Sequence, residues 1–472
     1  MGGLFSGLEL GKRALTTHQL WLNTIGHNIA NVDTPGYSRQ TVTITTTTPD
    51  EHYAGLVGTG VKATSIRNIR DLFLTQQYRN ENKSLGQWTA KEKTLTQIEN
   101  TFLEPNEGSL SDLIEQFWTS WMDLESDPES IAARTSLKEN TILMTTSFNQ
   151  LYSQLIDQRK SVETDIEALI QQVNVISDEI AELNQDISRA ELGGDHANDM
   201  RDRRDYLIDQ LSQYIDVNTS EQDNGAVIVY IGALTLIDEQ EANHLGTKER
   251  RATSAGNVLV SDIVWEGTTK VIKNLDGELK GLFDTRDEVI PSYMEELDQL
   301  ARILIAEVNA LHSTGYDLNG DTGIDFFDET YLSAENITLS QEILNDVSRI
   351  AASISGAIGD NANALAIADL RNSLLMNDGT ATLDEFYNTI VGRIGSETSK
   401  ATQIKENQTL LVEQLENSRQ SVQGVSLDEE MTQMIKYQHA YDAAARVITT
   451  IDEALSTVLR KWGLSAAHKI EK

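Results

Sequence analysis

The chain has 472 residues with 38 lysines and arginines against 73 aspartates and glutamates, a formal net charge of -35, which argues against nucleic acid and anionic membrane surfaces as partners. It contains no cysteine, so disulfides and thiolate metal sites are excluded. No run of about 18 apolar residues occurs, and the N-terminus lacks a basic region followed by an apolar segment and a cleavage site, so neither a membrane span nor a cleaved signal is expected.

The length leaves room for about two to four domains, and only five prolines, at positions 35, 49, 105, 128 and 291, interrupt it. At the start, Leu4, Leu8, Gly11, Leu15, His18, Leu22, Ile25 and Ile29 step by four and three. This spacing predicts a helix over about 3–31 with one narrow apolar stripe. His18 sits on the stripe and reads as a packed or partly solvated ring, not a ligand. Met1 to Ser6 fits a myristoylation pattern, but Leu4 and Phe5 already serve the stripe. Thr34 before Pro35 leaves the helical region, and Pro35-Gly36 suits the two central positions of a type II turn. Thr41 to Thr45 alternates like a strand, and Val61 to Ile66 reads as its return. Running into that return, Gly58 to Ala63 matches a dinucleotide glycine pattern, yet no helix follows it and no βαβ unit surrounds it.

A helical pattern then runs from Asp71 to Phe102, and Glu104 to Gly108 breaks it. A short helix restarting at Ser111-Asp112 carries Phe117, Trp118 and Trp121, and Asp127-Pro128 ends it. Residues 129–192 contain neither Gly nor Pro and as one helix would span roughly 95 Å. Gly193-Gly194 stops that rod, and Asn198 to Tyr214 forms another helix. The alternating charges of 195–205 predict a solvated, ion-paired face. Residues 216–276 change character: Ala226 to Ile231, Leu234 to Ile237, Val258 to Trp265 and Thr268 to Ile272 are β-branched runs separated by turn signals at Asn224-Gly225 and Ala255-Gly256-Asn257. Helix resumes from Leu279 to His312, with Pro291 kinking or restarting it; 316–360 is mixed, and 361–424 returns to helix with a break at Asn377-Asp378-Gly379. In the mixed stretch, Asp317, Asn319, Asp321, Asp325 and Asp328 stand at the spacing of a calcium loop. The sixth position is Thr322 where glycine is expected, and Asp, Asn and Gly also simply make turns.

The last stretch, 424–459, is organised like the first. Leu427, Met431, Met434, Tyr437, Tyr441, Ala444, Ile448, Ile451, Leu455 and Val458 make one stripe, Ser426 can cap the start, and Asp428, Glu429 and Glu430 suit the positive end of the helix dipole. Stripes this narrow and of matching length at the two extremes of a chain favour mutual pairing in the manner of a coiled-coil seam. Ala440, Ala443 and Ala444 permit close approach. The expected fold is mainly α: a long helical bundle or coiled-coil rod formed by N- and C-terminal segments together, with a small β-rich inserted domain. The expected division is a terminal stem (1–35 with 425–472), a β-rich connector (36–70), a helical rod (71–215 with 277–424) and a β-rich outer domain (216–276). No zinc-protease, nucleophile-elbow or phosphate-loop spacing is present, so no catalytic or cofactor-binding residues are expected, and no metal beyond the weak calcium pattern.

Ala30-Asn31-Val32-Asp33-Thr34-Pro35-Gly36-Tyr37, together with Leu427-Asp428-Glu429-Glu430-Met431 and the stretch from Tyr437 to Ile448, resembles the paired terminal signatures of bacterial flagellar axial proteins. Within that family, Tyr37-Ser38-Arg39-Gln40 and the internal Asn198-Asp199-Met200-Arg201-Asp202-Arg203-Arg204-Asp205 resemble the hook-filament junction members over effectively the whole chain. The resemblance implies a non-enzymatic structural subunit, secreted unfolded by the flagellar export apparatus, which the lack of cysteine suits. It implies self-association in an axial assembly, with hook protein on one side and a second junction protein on the other. An export chaperone at the C-terminal helix follows from it too, with no nucleic acid and no membrane insertion. Asn31, Thr34, Pro35, Gly36 and Tyr37 are then the family motif. The rivals are a hook or rod protein of the same family, or a soluble coiled-coil adaptor.

Overall fold

The computed structural model describes residues 2–52, 55–102, 108–252, 258–273 and 275–467; the side chains of 2–4, 52 and 462–467 lie outside that description, as do the predicted breaks at 104–107 and 255–257. Helix α1 (Gly2–Ala30) leads into four short strands, β1 (Gln40–Thr46), β2 (Asp50–His52), β3 (Gly55–Val57) and β4 (Val61–Asn68), with β1 antiparallel to β4 and β2 to β3. The turn between helix and strand forms as its sequence requires: Tyr37 N–H donates to the Thr34 carbonyl at 3.1 Å across Pro35 and Gly36, and Gly36 takes a φ of 78°.

The body begins with α2 (Leu72–Phe102), α3 (Leu110–Ser126) and α4 (Ile131–Ala190), the last running 60 residues without a break, about 90 Å at 1.5 Å per residue. Asp71 caps α2 through Oδ1, which accepts from the backbone of Phe73 and Leu74, and Ser109 and Ser130 cap α3 and α4. Helix α5 (Asn198–Tyr214) is followed by two small antiparallel sheets, β5-β6-β7 (Asn218–Glu221, Val227–Ile231, Leu234–Ile237) and β8-β9 (Leu245–Arg251, Leu259–Trp265). Their inner residues, Val227, Val229, Ile231, Leu236, Ile237, Leu245 and Ile263, belong to the same continuous apolar core as the helices. The strands therefore lie on the rod and do not enclose a main core of their own.

Helix α6 (Gly277–Asp284) passes through one wide π-helical turn, Thr285–Val289, into α7 (Ile290–His312). Pro291, which has no N–H to give, stands in the first turn of α7 and the extra residue in the turn accommodates it. Short α8 (Gln341–Asn345) and α9 (Ala362–Asp369) precede α10 (Leu383–Gln423), which returns antiparallel along α2; Lys405 pairs with Glu92 at 3.1 Å and Arg419 stacks on Tyr78 at 4.4 Å. Helix α11 (Leu427–Ala467) ends the described chain. Among the described residues, no helix is long and apolar enough to cross a membrane.

The far end of the body is closed by an aromatic cluster of Phe117, Trp121, Phe326 and Phe327 around His312. Ala351 N–H donates to Nε2 of this histidine at 2.8 Å, so the ring proton is on Nδ1, which donates to the Ile324 carbonyl at 2.7 Å. Burial pushes its pKa down from 6.5 to about 4. A folded pKa below the unfolded one means the neutral ring stabilises the fold fully above pH 6.5, and that contribution is lost as pH falls towards 4. It is on the order of 3 kcal/mol. Urea denaturation between pH 7 and pH 4 is expected to show this loss, and His312→Gln should be weaker at neutral pH with a flatter acid limb. A variant with the parent's acid limb would remove His312 as its cause.

Candidate functional site

The two ends of the chain meet. Helices α1 and α11 lie antiparallel, Gly7 against Ile451, Gly11 against Ile448, and Asn28 against Glu430. The close approach depends on glycine: a Cβ at Gly11 would stand 2.7 Å from Ile448 Cγ1, and one at Gly7 would stand 3.0 Å from Ile451 Cδ1. Further along, Trp21 stacks on Tyr437 with centroids 4.5 Å apart and His18 lies 6.0 Å from the same ring. Burial lowers the His18 pKa and raises that of Tyr437.

The expected stripe is placed unevenly. On α1, Ile25 is buried and Leu8, Leu15, Leu22 and Ile29 are half-buried; the side chain of Leu4 lies outside the described residues. On α11, Ala444 is buried and Met434, Tyr437, Tyr441, Ile448, Ile451 and Leu455 are half-buried. Leu427, Met431 and Val458, expected on the seam, are instead exposed at 48%, 52% and 43%. The register explains all three. Leu427 and Val458 fall level with positions beyond the two ends of α1, and at the level of Met431 the inward position is taken by Glu430, which is 1% exposed.

Glu430 belongs to a polar joint built on the turn motif. Buried Asn28 uses both ends of its amide: Oδ1 accepts from Tyr37 OH (2.7 Å) and Gln40 N–H (2.9 Å), and Nδ2 donates to the Gln40 carbonyl and Glu430 Oε2, both at 3.0 Å. Arg39 Nε donates to Glu430 Oε1 at 2.7 Å and its Nη1 to Glu429 at 2.9 Å. Of the motif residues, Gly36 and Tyr37 enter the joint, Asn31 and Thr34 cap the end of α1 through local bonds, and Pro35 is exposed.

The second half of the joint is the segment that reads in sequence as a solvated charged face. It is ion-paired, and Asp195, Asp199, Met200 and Arg203 are exposed, but Asn198, Asp202 and Arg204 are buried, because two different sets of partners cover them. Asp202 accepts from Ser38 N–H at 2.7 Å and from Asn68 at 2.8 Å, and pairs with Arg70 at 3.2 Å; Arg70 also pairs with Asp205. Asp199 receives Gln40 Nε2 at 2.6 Å and His27 Nε2 at 3.1 Å. One turn further, Asp209 holds Arg79 (2.6 Å) and Arg419 (2.8 Å), tying α5 to α2 and α10. From the other side of the helix, Arg204 reaches Asn184 and the Gly225 carbonyl, and Arg201 reaches Glu191 and Glu221, fixing α4 and the β5-β6-β7 sheet. Burial pushes the Asp202 carboxyl up against the opposing pull of Arg70 and the Ser38 N–H, and it lowers the Arg70 guanidinium. Tyr37 is pushed well up by burial and by Asp199, Asp202 and Glu430. The sequence signal was available: Asn198, Asp202, Asp205 and Asp209 recur at steps of four, three and four, one helix face.

The calcium-spaced loop closes on a cation of the chain itself. Asp317 Oδ1 accepts from the backbone of Asn319 (2.7 Å) and Asp321 (2.9 Å), and Arg349 pairs with Asp317 and Asp321. Asp328 accepts from Thr330 N–H at 2.8 Å in a separate turn, and Asp325 belongs to neither. Among the described residues, no group of three or more His, Asp or Glu side chains is arranged to hold a metal.

Comparison with known proteins places these features. Residues 95–327 match the family described as flagellar hook-associated protein FlgK helical domain, 418–461 that described as flagellar basal body rod FlgEFG protein C-terminal, and 8–37 that of flagella basal body rod protein. Flagellar hook-associated protein 1 of Bacillus subtilis is 30% identical, covering 98% of this chain and 99% of the relative. The proteins of the same name from Salmonella typhimurium and Escherichia coli are 26% and 25% identical, each over 94% of this chain and 98% and 97% of their own. In fold, the chain is similar to the flagellar hook junction protein FlgK from Burkholderia pseudomallei, with a TM-score of 0.65 over 73% of this chain and 100% of that one, at 16% identity.

Proposed function

The chain belongs to the flagellar hook-associated protein 1 family, and from that premise we propose that its α1–α11 stem is the self-packing element of a hook-filament junction, with the long body carried outside it. It is a structural protein of the bacterial flagellum. The distribution of charge carries the reading. Residues 1–70 hold six lysines and arginines against four carboxylates, and 425–472 hold six against seven, so the body accounts for essentially all of the net charge of -35. Near-neutral stems pack side by side without mutual repulsion, whereas strongly acidic bodies repel and stay apart. Heterologous contacts between such stems propagate into an open array.

The isolated stem also leaves apolar surface for neighbours. Phe5, Leu10, Leu427, Met431, Ile435, Val447, Val458 and Leu459 are exposed, apolar surface that neighbouring stems would cover. Hook protein would meet the assembly on one side and a second junction protein on the other. Before export, a chaperone would cover the apolar stripe of α11 in helix-in-groove fashion. Imaging flagella of a strain deleted for this chain tests the assignment: hooks lacking filaments are expected, with filaments restored by the cloned gene. Normal filaments in the deletion strain would overturn it.

A further inference from the structure

Between α1 and the connector runs a channel that the packing of one subunit leaves unfilled. It consists of two cavities of about 360 and 490 Å³ that share Arg13 and Lys62. Lys12 opens onto the first, whose walls between the cations are Leu20, Val61 and Ala63 with Thr16 and Thr17, while the second is walled largely by threonines. Two carboxylates line the channel as well, Glu9, which is drawn to Arg13 at 3.5 Å, and Asp50 at the far end. Arg13 is held further by the Thr59 carbonyl at 3.4 Å. Lys12 and Lys62 are exposed, and among the described residues neither makes an ion pair. A locally cationic groove, apolar along part of its wall, on so acidic a chain concentrates field towards an anionic partner.

We infer that this channel is a contact between copies, receiving the outer face of α10 from a second copy of this chain. The match is one of charge and of apolar surface together. On α10, Glu406 and Glu413 are exposed on the same stretch as Leu410 and Leu411, themselves 63% and 46% exposed. Spacings of four and three set Glu406, Leu410 and Glu413 on one face. Two carboxylates flanking a leucine meet Lys12 and Lys62 flanking Leu20 and Val61. The contact pairs the near-neutral connector of one subunit with the acidic body of the next, which is where a stack of such charged bodies needs attraction. The groove belongs to α1 and the connector and the other face to α10, two different surfaces of the chain, so the contact is heterologous.

The inference rests on the assembly reading above, and its test separates the two. Flagella carrying the unaltered chain, expressed as two versions of different tag, are treated with a carbodiimide that joins amines directly to carboxylates. Cross-links from Lys12 or Lys62 to Glu406 or Glu413 between differently tagged copies are expected. In parallel, K12E/K62E is expected to lower the fraction of filamented hooks at least tenfold, and adding E406K/E413K to the same chain is expected to restore most of it. All four side chains are exposed, so the monomer's melting temperature should not change. Lysine cross-links only within one copy or only to another protein would overturn the inference, as would K12E/K62E filaments at the wild-type level. If the double variant is not exported, the cross-linking of the unaltered chain decides alone. Absence of the unaltered chain from the junction would instead sink the assembly reading.

Discussion

Replacing Ile448 and Ile451 together with aspartate is expected to leave hooks bare while the body folds normally. Each isoleucine seats over a glycine of α1, at Gly11 and Gly7, so the two side chains close the part of the stem where the helices come nearest. Removing a half-buried aliphatic side chain forfeits part of the about 1.5–3 kcal/mol that full burial contributes, and a carboxylate placed against the facing helix adds a desolvation cost. Summed over two sites this exceeds what a two-helix stem can hold in reserve, since isolated helical segments are marginal in water. The body has its own continuous core, to which neither residue contributes. Thermal melting of the purified variant should therefore match wild type, while electron microscopy of the complemented deletion strain shows few or no filaments. The same stripe is the proposed chaperone surface, so affinity for the export chaperone should drop as well. A variant that kept its chaperone affinity but lost filaments would place recognition elsewhere on the chain; one that grew normal filaments would refute the seam itself.

Asp202→Ala is expected to have the largest effect on the joint. The substitution strands the Ser38 N–H and the Asn68 amide and removes one of the two carboxylates on Arg70. Breaking a buried pair by deleting one partner costs about 3–5 kcal/mol, and the surviving Asp205 contact holds the loss towards the lower figure. The melting temperature should fall by several degrees, and trypsin should cut faster at Arg39 and Arg70, whose backbone the joint now protects. Asp202→Asn keeps the shape and one acceptor, so an intermediate loss is expected. Equal melting and equal protection for the alanine variant would show that Asp202 does not bind the connector to the body.

The stretch from 129 to 192 announces its long helix because nothing in it can break one, and Pro35-Gly36 announces its turn because few other conformations are open to that pair. Both follow from local sterics, which sequence states completely. The stripes on the terminal helices likewise declare which residues face a partner, and their matched lengths declare that the partner is the other end of the chain. Periodicity does not state where the partner stops, which is why Leu427 and Val458 lie past the ends of α1. Nor does it state that a glutamate rather than Met431 is drawn inward by an asparagine 402 positions away. The charged run at 198–205 shows the same limit: alternating charges are solvated by default, as Asp199 and Arg203 are, and only the arrival of Ser38, Arg70 and Asn68 from more than 130 positions away buries Asp202 among them. At Asp317 the spacing fits a metal loop, and Arg349, brought in from the following segment, supplies the positive charge. The sequence by itself determined the long helices and the family. The tertiary structure alone decided which charges are buried, because the energy of a charge depends on partners that only folding brings within reach.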